Sequence, residues 1–152
     1  MNLAEELGAA LLASAGDAII SADAKGVIGF WNPGAERVFG YSAAEAIGRS
    51  LDLIIPEALR KRHWEGYEQV MRSGHSRYGE GDVLAVPGQR KDGKRVSLEF
   101  TIVPLRGPDG ALNGMGAVLR DVTARFEELR ALRRDLAARS AGVPTQDGGS
   151  KA

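Results

Sequence analysis

Apolar and polar positions recur along this chain with two different periods, and these periods predict its secondary structure. Leucines at positions 3, 7, 11 and 12 have helical spacing and predict an amphipathic N-terminal helix over residues 1–15. Two runs rich in Ile and Val flank the turn sequence DAKG in residues 18–32, which predicts a hairpin. Residues 96–102 alternate between apolar and polar side chains, so one face of this strand meets a core and the other meets water.

Helix-capping residues predict two short helices after the hairpin. Asn32 is a good N-cap, and Pro33 suits the first position of a helix. Ser42 is followed three residues later by Glu45, the spacing of a capping box, so a second helix begins there.

The remaining pattern predicts three more strands and a final helix. Strand-like runs at residues 82–86, 95–105 and 111–122 are separated by the turn sequences RKDG and GPDG. A helix is predicted over residues 123–140, and the small polar tail, residues 141–152, is expected to be disordered. This order predicts an α+β fold in which helices cross one face of an antiparallel sheet of about five strands.

Composition narrows the functional classes. The 152 residues suffice for one domain, and 20 basic side chains balance 20 acidic ones, so neither nucleic acid nor an anionic membrane is expected as a partner. No apolar run approaches the about 20 residues of a membrane span, and the chain has no cysteine. A cytoplasmic location is the default expectation. The sequence also lacks a phosphate loop, an HExxH motif and a nucleophile elbow, so we expect a binding or signalling role and no enzymatic activity.

A helix that opens at Pro56 carries the first of the two histidines, His63. At about 100° per residue, His63 shares a face with Leu59, Gly66 and Val70. A glycine on that face costs about 1 kcal/mol of helix propensity relative to alanine, which suggests that something bulky or flat comes close. Two interpretations remain open: His63 is a ligand, or it is a core histidine bonded to a backbone carbonyl while Gly66 lets a strand approach.

Several motifs resemble a PAS domain of the S-box type. The specific stretches are WNPGAERVFGYSAAEAIG and LRDVT, and the resemblance extends over about residues 16–130. It implies a PAS fold with a five-stranded antiparallel sheet in the order 2-1-5-4-3, short helices on one face, and flanking N- and C-terminal helices. The sensor domain would be residues 16–122, and residues 123–140 would form a signalling helix.

The stretch PEALRKRHWEGYEQ is similar to a helix of heme-binding PAS domains from oxygen-sensor kinases and phosphodiesterases. The resemblance implies heme as cofactor, with His63 as the axial iron ligand, and imidazole is a suitable ligand. Asp82 falls where those sensors carry an Arg or a Met that contacts the gas or the iron. Arg62, Arg72 or Arg77 are candidates to pair with the propionates. The full set of expected cofactor-site residues is His63, Gly66, Tyr67, Val70, Asp82, Leu98, Phe100, Ile102, Met115 and Val118.

A second function is a cofactor-free PAS module that pairs proteins. The apolar stripes of the N-terminal helix and of the last helix would then form a homodimer seam; the latter stripe contains Phe126, Leu129, Leu132 and Leu136. In either case a histidine kinase or a response regulator is the expected downstream partner.

Overall fold

The computed structural model describes residues 2–75 and 83–142. Within these residues the chain forms five α-helices and five β-strands. The helices are α1 (Leu3–Leu12), α2 (Pro33–Phe39), α3 (Ala43–Ala46), α4 (Glu57–Ser73) and α5 (Thr123–Gly142). The strands are β1 (Ala18–Asp23), β2 (Ile28–Trp31), β3 (Leu84–Gln89), β4 (Arg95–Arg106) and β5 (Leu112–Asp121), and a 3-10 turn covers Leu51–Ile54. No helix in these two ranges is long and apolar enough to cross a membrane.

The strands form one antiparallel sheet in the order β2-β1-β5-β4-β3, which confirms the predicted fold and strand order. The hairpin of β1 and β2 turns at Gly26, whose φ of 80° is accessible to glycine at little cost. In the centre of the sheet Ala117 of β5 pairs with Ile20 of β1 on one side and with Ile102 of β4 on the other. Directly paired residues lie on the same face of a sheet, so this register decides which side chains share a wall.

The predicted helix caps of the short helices are present. The Asn32 side chain accepts from the Ala35 amide at the start of α2, and Pro33 is the first helical residue. Ser42 and Glu45 form the capping box of α3. Asn32 is only 1% exposed, and its side chain also bonds the segment that leads into β1, so it fixes α2 to the sheet.

The main core lies between α2, α3 and one face of the sheet. Phe39 and Val38 of α2 are buried with Ile28 of β2, and Trp31 packs against Phe39 with ring centroids 5.4 Å apart. The core continues across the sheet through Ile20, Val96, Leu98 and Leu119. In contrast, α4 has no fully buried residue, so space remains between it and the sheet.

The chain divides into two compact units, the first ending at Asp121 and the second beginning at Val122 with α5. None of the α5 side chains is buried. This helix runs to Gly142, two residues into the predicted tail, because Ala141 favours a helix and glycine is a usual residue at a helix end. Residues 143–152 lie outside the described part of the chain.

Candidate functional site

A cavity with a volume of about 710 Å³ separates α4 from the sheet. Its walls come from α4, from β1, β3, β4 and β5, and from the 3-10 turn. Binding pockets for small molecules and cofactors typically range from about 300 to 1,000 Å³, so this one can hold a ligand of that size. Most of its lining is apolar, and the charged side chains come from α4.

The α4 wall contains the face that the helical wheel predicts, apart from Leu59. His63, Gly66, Tyr67 and Val70 all line the cavity. Three polar side chains of the same helix also reach the cavity: Arg62, Glu65 and Gln69. Leu59 is half-buried but lies outside the lining, because it is a full turn closer to the start of the helix.

The imidazole of His63 lacks the partner that a structural core histidine would have. Its Nδ1 is buried and has no hydrogen-bond partner within the part of the chain that the structure describes. Burial lowers the pKa of His63 below its usual value, and the Asp52 carboxylate opposes this effect. The histidine is therefore neutral at physiological pH, the protonation state in which imidazole binds a metal.

Gly66 lies one turn beyond His63 and leaves open space in the cavity. A Cβ added at Gly66 would meet no atom within 4 Å, so no strand approaches this glycine. The approach of a strand therefore does not explain the glycine at this position. The open space leaves room for a bulky group beside the histidine.

The sheet wall of the cavity is apolar. The β4 residues Leu98, Phe100 and Ile102 alternate along the strand on the cavity side, as predicted, and Met115 of β5 lies beside them. Val118 is not in the lining, and its prediction was wrong. Along β5 the side chains at Met115, Ala117 and Leu119 share the cavity face, and alternation puts Val118 on the opposite one.

The edge strand β3 supplies a wall that the sequence analysis missed. Leu84, Val86 and Gly88 pair with Phe100, Leu98 and Val96, respectively, and therefore share their face. The repeat of apolar residues in this strand was visible in the sequence, but its face depends on the pairing with β4. Asp82 and Arg77 lie outside the described residues. Among the other candidate partners for propionates, Arg62 lines the cavity, whereas Arg72 is exposed and lies outside the lining.

Hydrogen bonds from three side chains attach α4 to neighbouring segments, and one of these side chains, Tyr67, also lines the cavity. The Trp64 indole N–H donates to Asp52 Oδ1 at 2.7 Å, and the Tyr67 hydroxyl donates to the Asp23 carbonyl at 2.5 Å. Arg60 donates from Nε to the Ile55 carbonyl at 3.0 Å. Burial and the nearby Asp23 raise the pKa of Tyr67 to about 12, so its phenol stays protonated. These hydrogen bonds fix α4, and with it this wall of the cavity, to neighbouring segments of the fold.

The donor set fits a heme better than a bare metal ion. In residues 2–75 and 83–142 no group of three or more His, Asp or Glu side chains could hold a metal ion. Heme requires only one strong protein ligand because the porphyrin supplies the other four nitrogens. An unpartnered imidazole beside open space in an apolar cavity meets that requirement.

Comparison with known proteins gives a consistent result. The family model described as the PAS fold matches residues 6–122. The sensor protein FixL of Bradyrhizobium diazoefficiens is 32% identical over 122 residues, covering 76% of this chain and 23% of FixL. The oxygen sensor protein DosP of Escherichia coli is 36% identical over 73 residues, covering 48% of this chain and 9% of DosP. The chain therefore spans less than a quarter of the length of these curated relatives.

A solved structure shows the same fold. The crystal structure of the PAS domain of a protein from Colwellia psychrerythraea superimposes with a TM-score of 0.68 and 23% identity, covering 81% of this chain and 99% of that one.

Proposed function

The chain belongs to the PAS family of sensory domains, and on that premise we propose that it senses a small ligand through heme bound in the cavity between α4 and the sheet, with His63 as the axial ligand. The observation that carries the proposal is the buried, unpartnered Nδ1 of His63 next to the open space at Gly66. A buried polar atom without a partner costs about 1 to 3 kcal/mol, and such exceptions in folded proteins need an explanation.

Each wall of the cavity has a role in this proposal. His63 supplies a neutral imidazole, and Gly66 leaves the space for a flat ring next to it. Leu98, Phe100 and Ile102 exclude water from the interior. When bound, heme supplies an iron centre that responds to a gas or to redox state.

Arg62, at the solvent-exposed edge of the cavity, is suited to the propionates of a heme. Arg62 lines the cavity yet is exposed, so its guanidinium can pair with a carboxylate that reaches water. A propionate placed there would be only partly desolvated, which avoids the cost of burying an unpaired charge.

An absorption spectrum of the protein purified from cells supplied with a heme precursor tests the proposal. We expect a Soret band in the wild type and its loss in His63→Ala. His75→Ala is the matched control because it removes the other histidine, an exposed residue beyond α4, and it should keep the band. A colourless wild type that also fails to take up added hemin would refute the heme proposal. A band retained in His63→Ala would refute the assignment of the ligand.

A second candidate function, a cofactor-free dimerisation module, is favoured by the exposed leucines of the terminal helices. In α1, Leu3 and Leu7 are 79% and 57% exposed. In α5, Leu132 and Leu136 are 52% and 63% exposed. We propose that a second copy of the chain covers one or both stripes. Sedimentation over a range of concentrations should then give a mass that rises towards twice the monomer mass, whereas a constant monomer mass would refute the dimer.

We further propose that the signal passes to a histidine kinase or response regulator, since the relatives that the chain resembles are named as a sensor protein and an oxygen sensor protein. A pull-down with the candidate kinase, compared in the presence and absence of the ligand, would test this.

A further inference from the structure

Trp64, the neighbour of His63, is fixed to two segments outside α4. Its indole N–H donates to Asp52 Oδ1 at 2.7 Å, just after the start of the 3-10 turn. The far edge of the indole lies over Gly26 in the β1–β2 turn, where any added Cβ would overlap the ring. Gly26 also has a positive φ of 80°, so the turn favours glycine for two reasons.

His63 packs against this anchored indole. The two ring centroids are 4.7 Å apart, and the ring planes meet at 74°, an edge-to-face arrangement of the kind that aromatic pairs prefer. Tyr67 completes a cluster of three rings, with its centroid 5.7 Å from that of His63 and 5.5 Å from that of Trp64, and its hydroxyl donates to the Asp23 carbonyl. The imidazole therefore lies against two rings, and each ring is tied to the β1–β2 hairpin or to the 3-10 turn.

Histidines that bind metals usually donate their second ring nitrogen to a carbonyl, carboxylate or water, which fixes the ring and the tautomer. In His63 the unpartnered Nδ1 is the nitrogen that the proposed function leaves for the ligand, and within the described chain no hydrogen bond at this atom holds the ring. Packing against neighbouring rings is the remaining means of holding the imidazole in one orientation, and Trp64 is the nearer of the two rings.

We propose that Trp64, held in place by Asp52, is a positioning residue that fixes the His63 imidazole towards the cavity. This inference rests on the proposed function, because the positioned group is the candidate axial ligand. Asp52 acts through Trp64: its carboxylate accepts the indole N–H, while Arg60 donates to the Asp52 carbonyl and secures the turn.

Three substitutions test this chain of contacts. Trp64→Phe keeps an aromatic ring but removes the N–H donor, and Asp52→Ala removes the acceptor. Asp52→Asn keeps an oxygen that can accept the indole proton, so it should restore wild-type behaviour. We expect Trp64→Phe and Asp52→Ala to lose hemin to an excess of apomyoglobin about 10- to 100-fold faster than the wild type, the usual effect of removing a residue that orients a metal ligand.

A second measurement does not require hemin. In the ligand-free protein the nitrogen and carbon chemical shifts of the His63 ring report its orientation and tautomer. Trp64→Phe and Asp52→Ala should shift or broaden these signals, while Asp52→Asn should leave them close to the wild type. The resonance Raman band of the iron–histidine bond provides the corresponding signature in the loaded protein.

Matched controls separate positioning from loss of stability. Trp31→Phe also removes one indole hydrogen bond, to the Tyr41 carbonyl at 3.0 Å, but Trp31 lies outside the cavity lining. Asp92→Ala removes an acidic loop side chain that accepts a backbone amide, away from α4. Both controls should lower the melting temperature at most, with no change in the His63 signals or in hemin loss.

The outcomes are distinguishable. Wild-type His63 signals and hemin retention in both Trp64→Phe and Asp52→Ala would overturn the positioning role. Equal effects of Trp31→Phe would also overturn it, because they would indicate general loosening of the fold. Failure of the wild type to bind hemin would instead refute the proposed function, and the ring signals of the ligand-free protein would still decide whether Trp64 positions His63.

Discussion

The imidazole of His63 is half-buried and feels the charge of Asp52, so its protonation is coupled to folding. Burial lowers the His63 pKa below its usual 6.5, and Asp52 only partly offsets this. The phenol of Tyr67, with a pKa raised to about 12, stays neutral throughout the range in which histidine titrates. The folded state consequently takes up a proton at His63 less readily than the unfolded state does.

We therefore predict that the ligand-free protein loses stability on acidification. Between the folded pKa of His63 and 6.5, the unfolded state binds more protons than the folded state, so the free energy of unfolding falls as pH decreases. Above pH 6.5 the contribution of His63 to the free energy of unfolding does not change with pH. Urea unfolding of the wild type and His63→Gln from about pH 5 to about pH 8 measures the effect. The variant should have the flatter profile, and His75→Gln should resemble the wild type. A wild-type profile as flat as that of His63→Gln would contradict the prediction.

A second residue-scale prediction concerns Gly66. Because a Cβ there meets nothing within 4 Å, Gly66→Ala should stabilise the ligand-free protein by up to about 1 kcal/mol through helix propensity. Gly66→Leu should instead project into the cavity and reduce hemin uptake. Chemical denaturation and hemin titration of both variants measure these effects, and Gly8→Ala in α1, where a Cβ also meets nothing, controls for propensity alone. Loss of stability in Gly66→Ala would show that the space is not open.

At the scale of elements, Asn32 joins three segments that are distant in sequence. Its Oδ1 accepts from the amides of Ile19 and Ala35, and its Nδ2 donates to the carbonyls of Ser14 and Asp17. The four bonds connect the start of α2 with β1 and with the segment between α1 and β1. The polar side chain is tolerated in the core because its bonding capacity is used.

We predict that Asn32→Ala lowers the free energy of unfolding by more than the about 1 kcal/mol typical of a lost N-cap. The extra loss arises because the Ile19 amide and the Asp17 carbonyl also lose the bond to Asn32, and an unsatisfied buried group costs about 1 to 3 kcal/mol. The Ser14 carbonyl keeps a bond from the Gly34 amide. Ser42→Ala, at the exposed cap of α3, is the matched control and should show only the loss of a cap. Equal losses in the two variants, measured by urea denaturation, would show that the long-range bonds of Asn32 add nothing.

The elements that the sequence predicted well are those specified by local chemistry. Asn32-Pro33, Ser42 with Glu45, and the helical spacing of His63, Gly66 and Val70 all depend on residues within a few positions. What the sequence could not supply depends on pairing between distant segments. The contact of Trp64 with Asp52 and Gly26 is one example.

The sheet wall shows the same limit. The cavity face of β3 follows from its register with β4. Val118 was misplaced because it is an odd number of positions from Met115, so alternation puts it on the other face, while the phase of β5 is set by its partners. A one-residue difference in phase moves a side chain to the other face of a sheet.

For the whole molecule, the chain divides into two compact units, and the cavity of the proposed sensing function lies in the first. Among the residues that the structure describes, all those lining the cavity lie between Ile20 and Leu119, in the unit that ends at Asp121. Helix α5 belongs to the second unit and buries none of its side chains. Its leucines are exposed, so the two proposed functions, sensing and pairing, would belong to different units.

We predict that a chain truncated after Val122 keeps its fold and binds hemin with an affinity within a few-fold of the full chain, because no cavity residue is removed. Its tendency to dimerise should decrease, since the leucine stripe of α5 is absent. Circular dichroism, hemin titration and sedimentation of the two chains measure these three properties.

The full-length double variant Leu129→Asp, Leu132→Asp is the matched control, because it disrupts the stripe without shortening the chain. An unfolded truncated chain would show that α5 is required for the sensor unit, whereas unchanged association in both variants would assign the dimer contact to α1 or to the sheet.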